Sequence, residues 1–415
     1  MTDFSISGRA AIVGLGATEF SKNSGRTEVR LAMEATLQAL ADAGIDPSEV
    51  DGFSSYSVDK VPEYEVARLL GAKNIHFFSQ IPHGGGAACA PVLHTAMAVA
   101  TGIAKTVVVY RATNERSWYR FGNGNYGFGS SPLFENVNYG WYMPYGFHTP
   151  AAWVGMFAQR YMHTFGATSE DFGRVAVAAR DFAATNPAAF FHGKPITLAE
   201  HQASRWICEP LHLLDCCQES DGAVAMVITS VERARDLRSK PVVIKGAAQG
   251  ISDGQQIMTS YFREDITGLP EMGLVAKQLW QQSRLEPEDI PTAVIYDHFT
   301  PFVLPQLEEF GFVNPQATLT LLSGKGLRLL KIGARTAPAP PQHPGGATRD
   351  RDGHARGVEP RVRVVAAVHR VRLRQGEAGV VGEEADVPGR ASHVVQGLGD
   401  GLAHVARVGH GELLR

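Results

Sequence analysis

The chain has 415 residues, of which 44% are hydrophobic and 20% charged, and its formal net charge is −3. That length supports two ordinary domains or one large layered unit, and the weak charge excludes a nucleic-acid binder or a polybasic membrane protein. No apolar run approaches the ~18 residues of a membrane span, and the start, MTDFSISGRAAIVGLG, has neither the basic stretch nor the apolar run of a signal peptide, so the cytoplasm is the expected compartment.

The first segment alternates strand and helix signals. Ala11–Gly14 is a short apolar run of buried-strand type. Thr27 to Ala43 follows, with Val29, Met33, Leu37 and Leu40 at helical spacing, and Gly44 stands where a helix-ending glycine belongs. Strands are predicted near Gly52–Ser57, Ile75–Ser79 and Thr106–Tyr110. Helices are predicted over Glu63–Leu70 and from a Gly-rich turn to about Ala100. Apolar strands with helices between them predict an α/β fold with a parallel sheet.

Residues 113–200 break this rhythm with stretches such as RFGNGNYGFGSS and NYGWYMPYGFH. Two helices, near Ala151–Thr164 and Ser169–Thr185, are embedded there. The region reads as a large insertion, either a lid over a large apolar ligand or ordinary loop packing. Further on, SDGAVAMVI is a polar turn running into small residues and an apolar strand, a pattern that allows close packing. The four cysteines, Cys89, Cys208, Cys216 and Cys217, include no CxxC pair, so neither a disulfide scaffold nor a metal site is expected.

An internal repeat links the two ends of this region. AGIDPSEVDGFSSYS, beginning at Ala43, aligns without gaps with SRLEPEDIPTAVIYD, beginning at Ser283, at an offset of 240. Pro47 meets Pro287, Asp46 meets Glu286, Glu49 meets Asp289, and Tyr56 meets Tyr296. Each copy follows a predicted strand (Ala11–Gly14; Pro241–Lys245) and a predicted helix (Thr27–Ala43; Glu271–Ser283) in the same order. Two related α/β halves are therefore expected: 1–235, including the insertion, and 236–332.

The rest, 333–415, does not fit. All 36 aromatic residues lie within the first 312 positions, and no lysine follows Lys331, although 12 arginines and six histidines do. Such a composition is expected of a reading frame lost somewhere in 314–335, or of an unusual disordered extension.

Taken together, AAIVGLGATEFSK, AGIDPSEVDG, SDGAVAMV and YDHFTPFVLPQLEEFGF resemble the thiolase superfamily, in its sterol carrier protein X-type lipid-transfer branch, over about residues 8–313. The resemblance implies a five-layer αβαβα sandwich of two similar halves, a dimer, and a coenzyme A thioester as substrate with no further cofactor. A thiolase also needs a nucleophilic cysteine at a helix N-terminus, a GHP-type histidine and a Cys-x-Gly cysteine. Here the family's nucleophile position falls at about Gly85, Cys89 lies about one turn into the helix, and neither later motif is present. Thiolysis by the usual route is disfavoured; Cys89 is expected to be a small core residue.

Gly84, Gly85 and Gly86 could leave backbone N–H groups open to a thioester oxygen, or could simply allow close packing. Tyr296–Asp297–His298–Phe299 stands in place of the branch's HDCF motif. Tyr296 then occupies the position that helps bind the thioester oxygen, and His298 replaces the cysteine. These two are the candidate catalytic residues. The subgroup with Gly at the nucleophile position and YDHFTP is similar to the steroid side-chain-cleaving aldolases of actinobacteria. That implies retro-aldol cleavage of a 17-hydroxy steroid acyl-CoA to propionyl-CoA and a 17-keto steroid, with an OB-fold and zinc-ribbon partner protein. A second tyrosine of that subgroup belongs to a C-terminal loop that only His343–Pro344–Gly345–Gly346 faintly matches. The alternatives are a non-catalytic acyl-CoA-binding or scaffold subunit and, last, an acyltransferase using Cys89.

Overall fold

A computed structural model describes residues 5–56, 61–81, 85–118, 120, 141, 143–255, 260–314, 318 and 364–366. The first strand, β1 (Ala10–Ala17), is buried along its whole length. Helix α1 (Glu28–Ala43) starts at Thr27, whose hydroxyl accepts from the Arg30 N–H, and ends at Gly44 with φ 70°. Then come β2 (Gly52–Tyr56), α2 (Glu63–Leu70), β3 (Phe77–Ile81), α3 (Ala90–Ala100) and β4 (Thr106–Asn114).

The insertion supplies α4 (Pro150–Phe165), α5 (Ser169–Thr185), α6 (Leu198–Ala203) and the short hairpin β5 (Trp206–Cys208) and β6 (Leu211–His212). After it come β7 (Asp221–Ser230), α7 (Val231–Ala234), β8 (Val242–Val243), α8 (Pro270–Ser283), β9 (Ala293–Ile295) and α9 (Val303–Glu309). A last strand, β10 (Val364–Ala366), runs parallel to β9. The remaining residues of the compositionally odd tail lie outside the described residues.

Six strands form one sheet in the order β3-β2-β4-β7-β1-β8. It is mixed, not parallel as the sequence rhythm predicts. β2 runs parallel to β3 and β4, but β7 is antiparallel to both β4 and β1. The reason is the route of the chain: β7 arrives from the insertion, not through a single crossover helix, so nothing forces it into the common direction. β8 falls beyond the expected boundary at 235/236, yet pairs with β1 at the sheet's edge.

Helices cover both faces. One face of the sheet, including Ala11, Val13, Val108, Tyr110 and Val227, packs against α1 and α2; the other, including Ile12, Leu15, Val107, Val109 and Met226, packs against α3. Alternation along the strands sorts the side chains between the two layers. α1 lies unusually close. A Cβ on Gly14 would sit 2.1 Å from the Ala39 carbonyl oxygen, and one on Gly16 2.0 Å from that of Ala35. The glycines of VGLG thus let helix backbone meet strand backbone.

Asp221, the first residue of β7, is fully buried. One of its oxygens accepts from the N–H groups of Arg116 and Ser117, the other from that of Ser24. The polar turn expected at SDG is therefore already strand, and its carboxylate fixes two loops at the same end of the sheet.

A separate core joins the insertion to the second half. Phe157 and Tyr161 of α4 and Phe172 and Val175 of α5 pack with Ile295, Phe299, Phe302 and Leu304. Phe157 stacks on Phe302 with ring centroids 4.4 Å apart.

Candidate active site

The segment from β9 into α9 carries the two predicted catalytic side chains. β9 ends at Ile295, but Tyr296 is held as if the sheet continued. The Gln306 side-chain amide takes the place of a neighbouring strand: its Oε1 accepts from the Tyr296 N–H (3.2 Å) and its Nε2 donates to the Tyr296 carbonyl (2.6 Å) and to that of Phe302 (2.8 Å). Gln306 is buried in α9, so the locking amide is shielded from water.

Tyr296 and His298 are brought together. Their rings stack with centroids 4.0 Å apart and planes 18° apart, and the His298 ring also packs against Phe299 and Phe302. Both side chains are less than a tenth exposed. The chain bends at His298, and the two rings, two residues apart, lie face to face.

A second strip of chain clips this segment. The Cys217 N–H donates to the His298 carbonyl at 2.8 Å, and Cys216 bridges Phe299 in antiparallel fashion. The Asp215 carboxylate, fully buried, accepts from the Thr300 hydroxyl at 2.5 Å and lies 2.8 Å from His201 Nε2. Its other oxygen accepts from the His212 N–H at 2.8 Å. Sequence reading missed Asp215, Thr300, His201 and Gln306. Only Gln306 carried a signal, as a polar residue in an otherwise apolar helix start.

The glycine turn is placed elsewhere. Gly85 and Gly86 form a tight turn, Gly85–Ala87, ahead of α3; a Cβ on Gly86 would meet nothing within 4 Å, so close packing does not explain that glycine. Gly84 lies outside the described residues. Cys89 is the N-cap of α3, not a residue within the helix, and is half-buried against the sheet's α3-side core. The glycine turn and the Tyr-x-His segment therefore rest on different cores. Burial pushes the Cys216 thiol up to about 12 and raises that of Cys208, so neither is a thiolate near neutral pH.

The chain thus combines an α/β/α layered sheet, a glycine turn before α3 and a buried Tyr-His pair after β9. The chain is 61% identical over 305 residues to the steroid side-chain-cleaving aldolase of Thermomonospora curvata, covering 74% of this chain and 78% of that one. It is 60% identical over 307 residues to the 17-hydroxy-3-oxo-4-pregnene-20-carboxyl-CoA lyase of Mycobacterium tuberculosis, covering 74% and 80%. A solved Ltp2-ChsH2(DUF35) aldolase superposes with a TM-score of 0.74 at 56% identity over 79% of this chain and 83% of that one. A monomeric SCP2-thiolase-like protein from Mycobacterium smegmatis shares the fold alone, with a TM-score of 0.56 at 19% identity over 76% and 68%. No protein-family model matches the chain. The chain belongs to the steroid side-chain-cleaving aldolases, within the thiolase-like proteins.

Proposed function

We propose that the chain cleaves the side chain of a 17-hydroxy steroid acyl-CoA by a retro-aldol reaction, releasing propionyl-CoA and leaving a 17-keto steroid. The observation that carries this reading is the stacked, buried Tyr296–His298 pair in a chain about 60% identical to a lyase of that class.

The reaction needs a base at the tertiary hydroxyl, a site for the thioester enolate oxygen and an acid for its carbon; it needs no covalent nucleophile. His298 takes the proton of the 17-hydroxyl. The C17–C20 bond then breaks, its electron pair enters the thioester as the enolate, and the C17–O bond becomes a ketone. Tyr296 donates to the enolate oxygen, with the N–H groups of Gly84, Gly85 and Gly86 as further donors. A proton returned to C20 completes propionyl-CoA. The thioester end of the substrate lies at Tyr296, and the insertion covers the apolar steroid rings. No cofactor beyond the coenzyme A of the substrate is needed.

The partner is a protein with an OB-fold and zinc ribbon. A DUF35 partner is in line with the name of the Ltp2-ChsH2(DUF35) aldolase. A homodimer core and a cytoplasmic setting complete the proposal. Among the described residues, no helix is long and apolar enough to cross a membrane.

The test is to incubate the chain and a DUF35 partner with a 17-hydroxy steroid-22-oyl-CoA and to measure propionyl-CoA by mass spectrometry. The same assay is run on a chain re-expressed after the gene is reread at codons 314–335. Release abolished by Tyr296→Phe and kept by Cys89→Ala supports the reading; no release from either chain overturns it. Release lost in Cys89→Ala instead returns the thiol to the chemistry.

A further inference from the structure

The Asp215 carboxylate is fully buried and, among the described residues, forms no salt bridge with a lysine or arginine, yet three donors converge on it. Thr300 Oγ1 donates from the YDHFTP segment, the His212 N–H from the β5–β6 hairpin, and His201 from α6. The Gln202 amide nitrogen lies 3.1 Å from His201 Nδ1, and as a donor it fixes that ring nitrogen as the acceptor. The hydrogen on the His201 ring is then on Nε2, aimed at Asp215. His201 is itself seated against Gly173 of α5, where a Cβ would lie 2.7 Å from its Nδ1. The three donors come from three different elements, so the carboxylate fixes those elements relative to one another. A buried carboxylate costs several kcal/mol to desolvate. A joint that needed only to be stable would be as well served by apolar packing, and this one lies two residues from His298.

We propose that Asp215 is a positioning residue for the Tyr296–His298 site, holding the His298 ring in place through Thr300 and coupling it to the insertion through His201. The inference rests on the retro-aldol reading for its kinetic consequence, but its geometric content stands apart from it. Thr300 opens the turn that carries Phe302, and Phe302 packs on the His298 ring. Release of Thr300 frees both. His298 stays in the site but no longer holds one angle, so turnover suffers more than binding.

The experiment uses the full chain with its DUF35 partner. Thr300→Val removes the hydroxyl at nearly constant shape, and Thr300→Ser keeps it. The expected result is a kcat about tenfold lower in Thr300→Val with KM within about twofold, and recovery in Thr300→Ser. A second readout is the ¹⁵N-histidine NMR signal of His298, assigned with His298→Gln. It should shift or broaden in Thr300→Val and return in Thr300→Ser. Unchanged kcat together with an unchanged His298 signal overturns the inference, as does a loss in Thr300→Val that Thr300→Ser does not restore. Should neither the chain nor its reread version release propionyl-CoA, the retro-aldol reading fails, and the His298 signal alone decides the positioning role. Asp215→Asn, which sets an amide donor among three donors, should reproduce the Thr300→Val signal change; an unaltered signal in that variant counts against the inference as well.

Discussion

The helix–turn–strand unit that occurs twice in this chain is built alike in its turn and differently in its packing. Asp46 and Glu286 both open a capping box over a single helical turn, with Pro47 and Pro287 at its first position and Glu49 and Asp289 reaching back. The preceding helix ends in a left-handed residue in both copies, Gly44 at φ 70° and Arg284 at φ 56°. The helices themselves rest on their supports differently. At Ala35 and Ala39 the first helix lies on the backbone of β1, with room only for Gly14 and Gly16. At the same offset the second helix has Val275 and Leu279. It is held away, so that Gly246 and Gly250 meet side-chain atoms at 3.2 and 3.0 Å. The first copy ends in β2, which has a strand on either side in the six-stranded sheet. The second ends in a three-residue strand whose next residue, Tyr296, is paired by a glutamine side chain. The tight copy builds the core, and the loosely supported one carries the candidate catalytic pair Tyr296 and His298. Preorganisation in the second copy therefore comes from polar clamps instead of sheet packing.

The sharpest way to break this comparison is to add one methyl group to each copy. Gly16→Ala places a Cβ on the Ala35 carbonyl and should destabilise the fold by about 3 kcal/mol or more. Gly246→Ala meets the end of the Leu279 side chain at 3.2 Å and the Gln282 Cβ and Leu279 carbonyl only at 3.4 Å, and should cost less than about 1 kcal/mol. Urea melts of the two variants decide the point, and equal losses would remove the distinction. Next in size, Tyr296→Phe should lower kcat for propionyl-CoA release about 100-fold, or about 2.7 kcal/mol, while Cys89→Ala changes it less than twofold. Steady-state kinetics with the steroid thioester would show it.

At the turn the copies can be pushed in opposite directions. Gly44→Ala forces a Cβ into a left-handed residue and should cost about 1 kcal/mol. Arg284→Gly relieves the same strain and should stabilise by about 0.5 kcal/mol. Thermal melts of the pair give the sign of each change. The smallest effect concerns Glu308, which accepts from the Tyr161 hydroxyl at 2.8 Å. Burial raises its carboxyl above the usual range. The folded state therefore binds the Glu308 proton more tightly than the unfolded state does. Its contribution is most favourable below the unfolded value of about 4.3 and is lost as pH rises through the folded one. Glu308→Gln should flatten that slope in melts taken between pH 4 and 7.

Several features were legible in the amino-acid order because their physics is local. The two capping turns, the helix-ending residues and the small residues of SDGAVAMV are each written within a few positions, and the offset of 240 exposed their kinship. The Tyr-x-His pair was legible for a similar reason, since its members are only two residues apart. Cys89 was misplaced by a single turn, because the glycine turn and the residues after it delay the regular helix to Ala90. The direction of β7 was not legible, as it depends on the route taken through a long insertion.

What the sequence determined alone is therefore a layered α/β protein with two related units, a Tyr-His pair and neither the GHP nor the Cys-x-Gly motif of a thiolase. Tertiary structure decided how those pieces are held. Thr300 and Asp215 are 85 residues apart, and His201 comes from a third element. No periodicity or spacing joins them. They meet because burial of Phe157, Phe172, Phe299 and Phe302 in one core folds the insertion onto the second unit. There the buried Asp215 carboxylate finds its three donors.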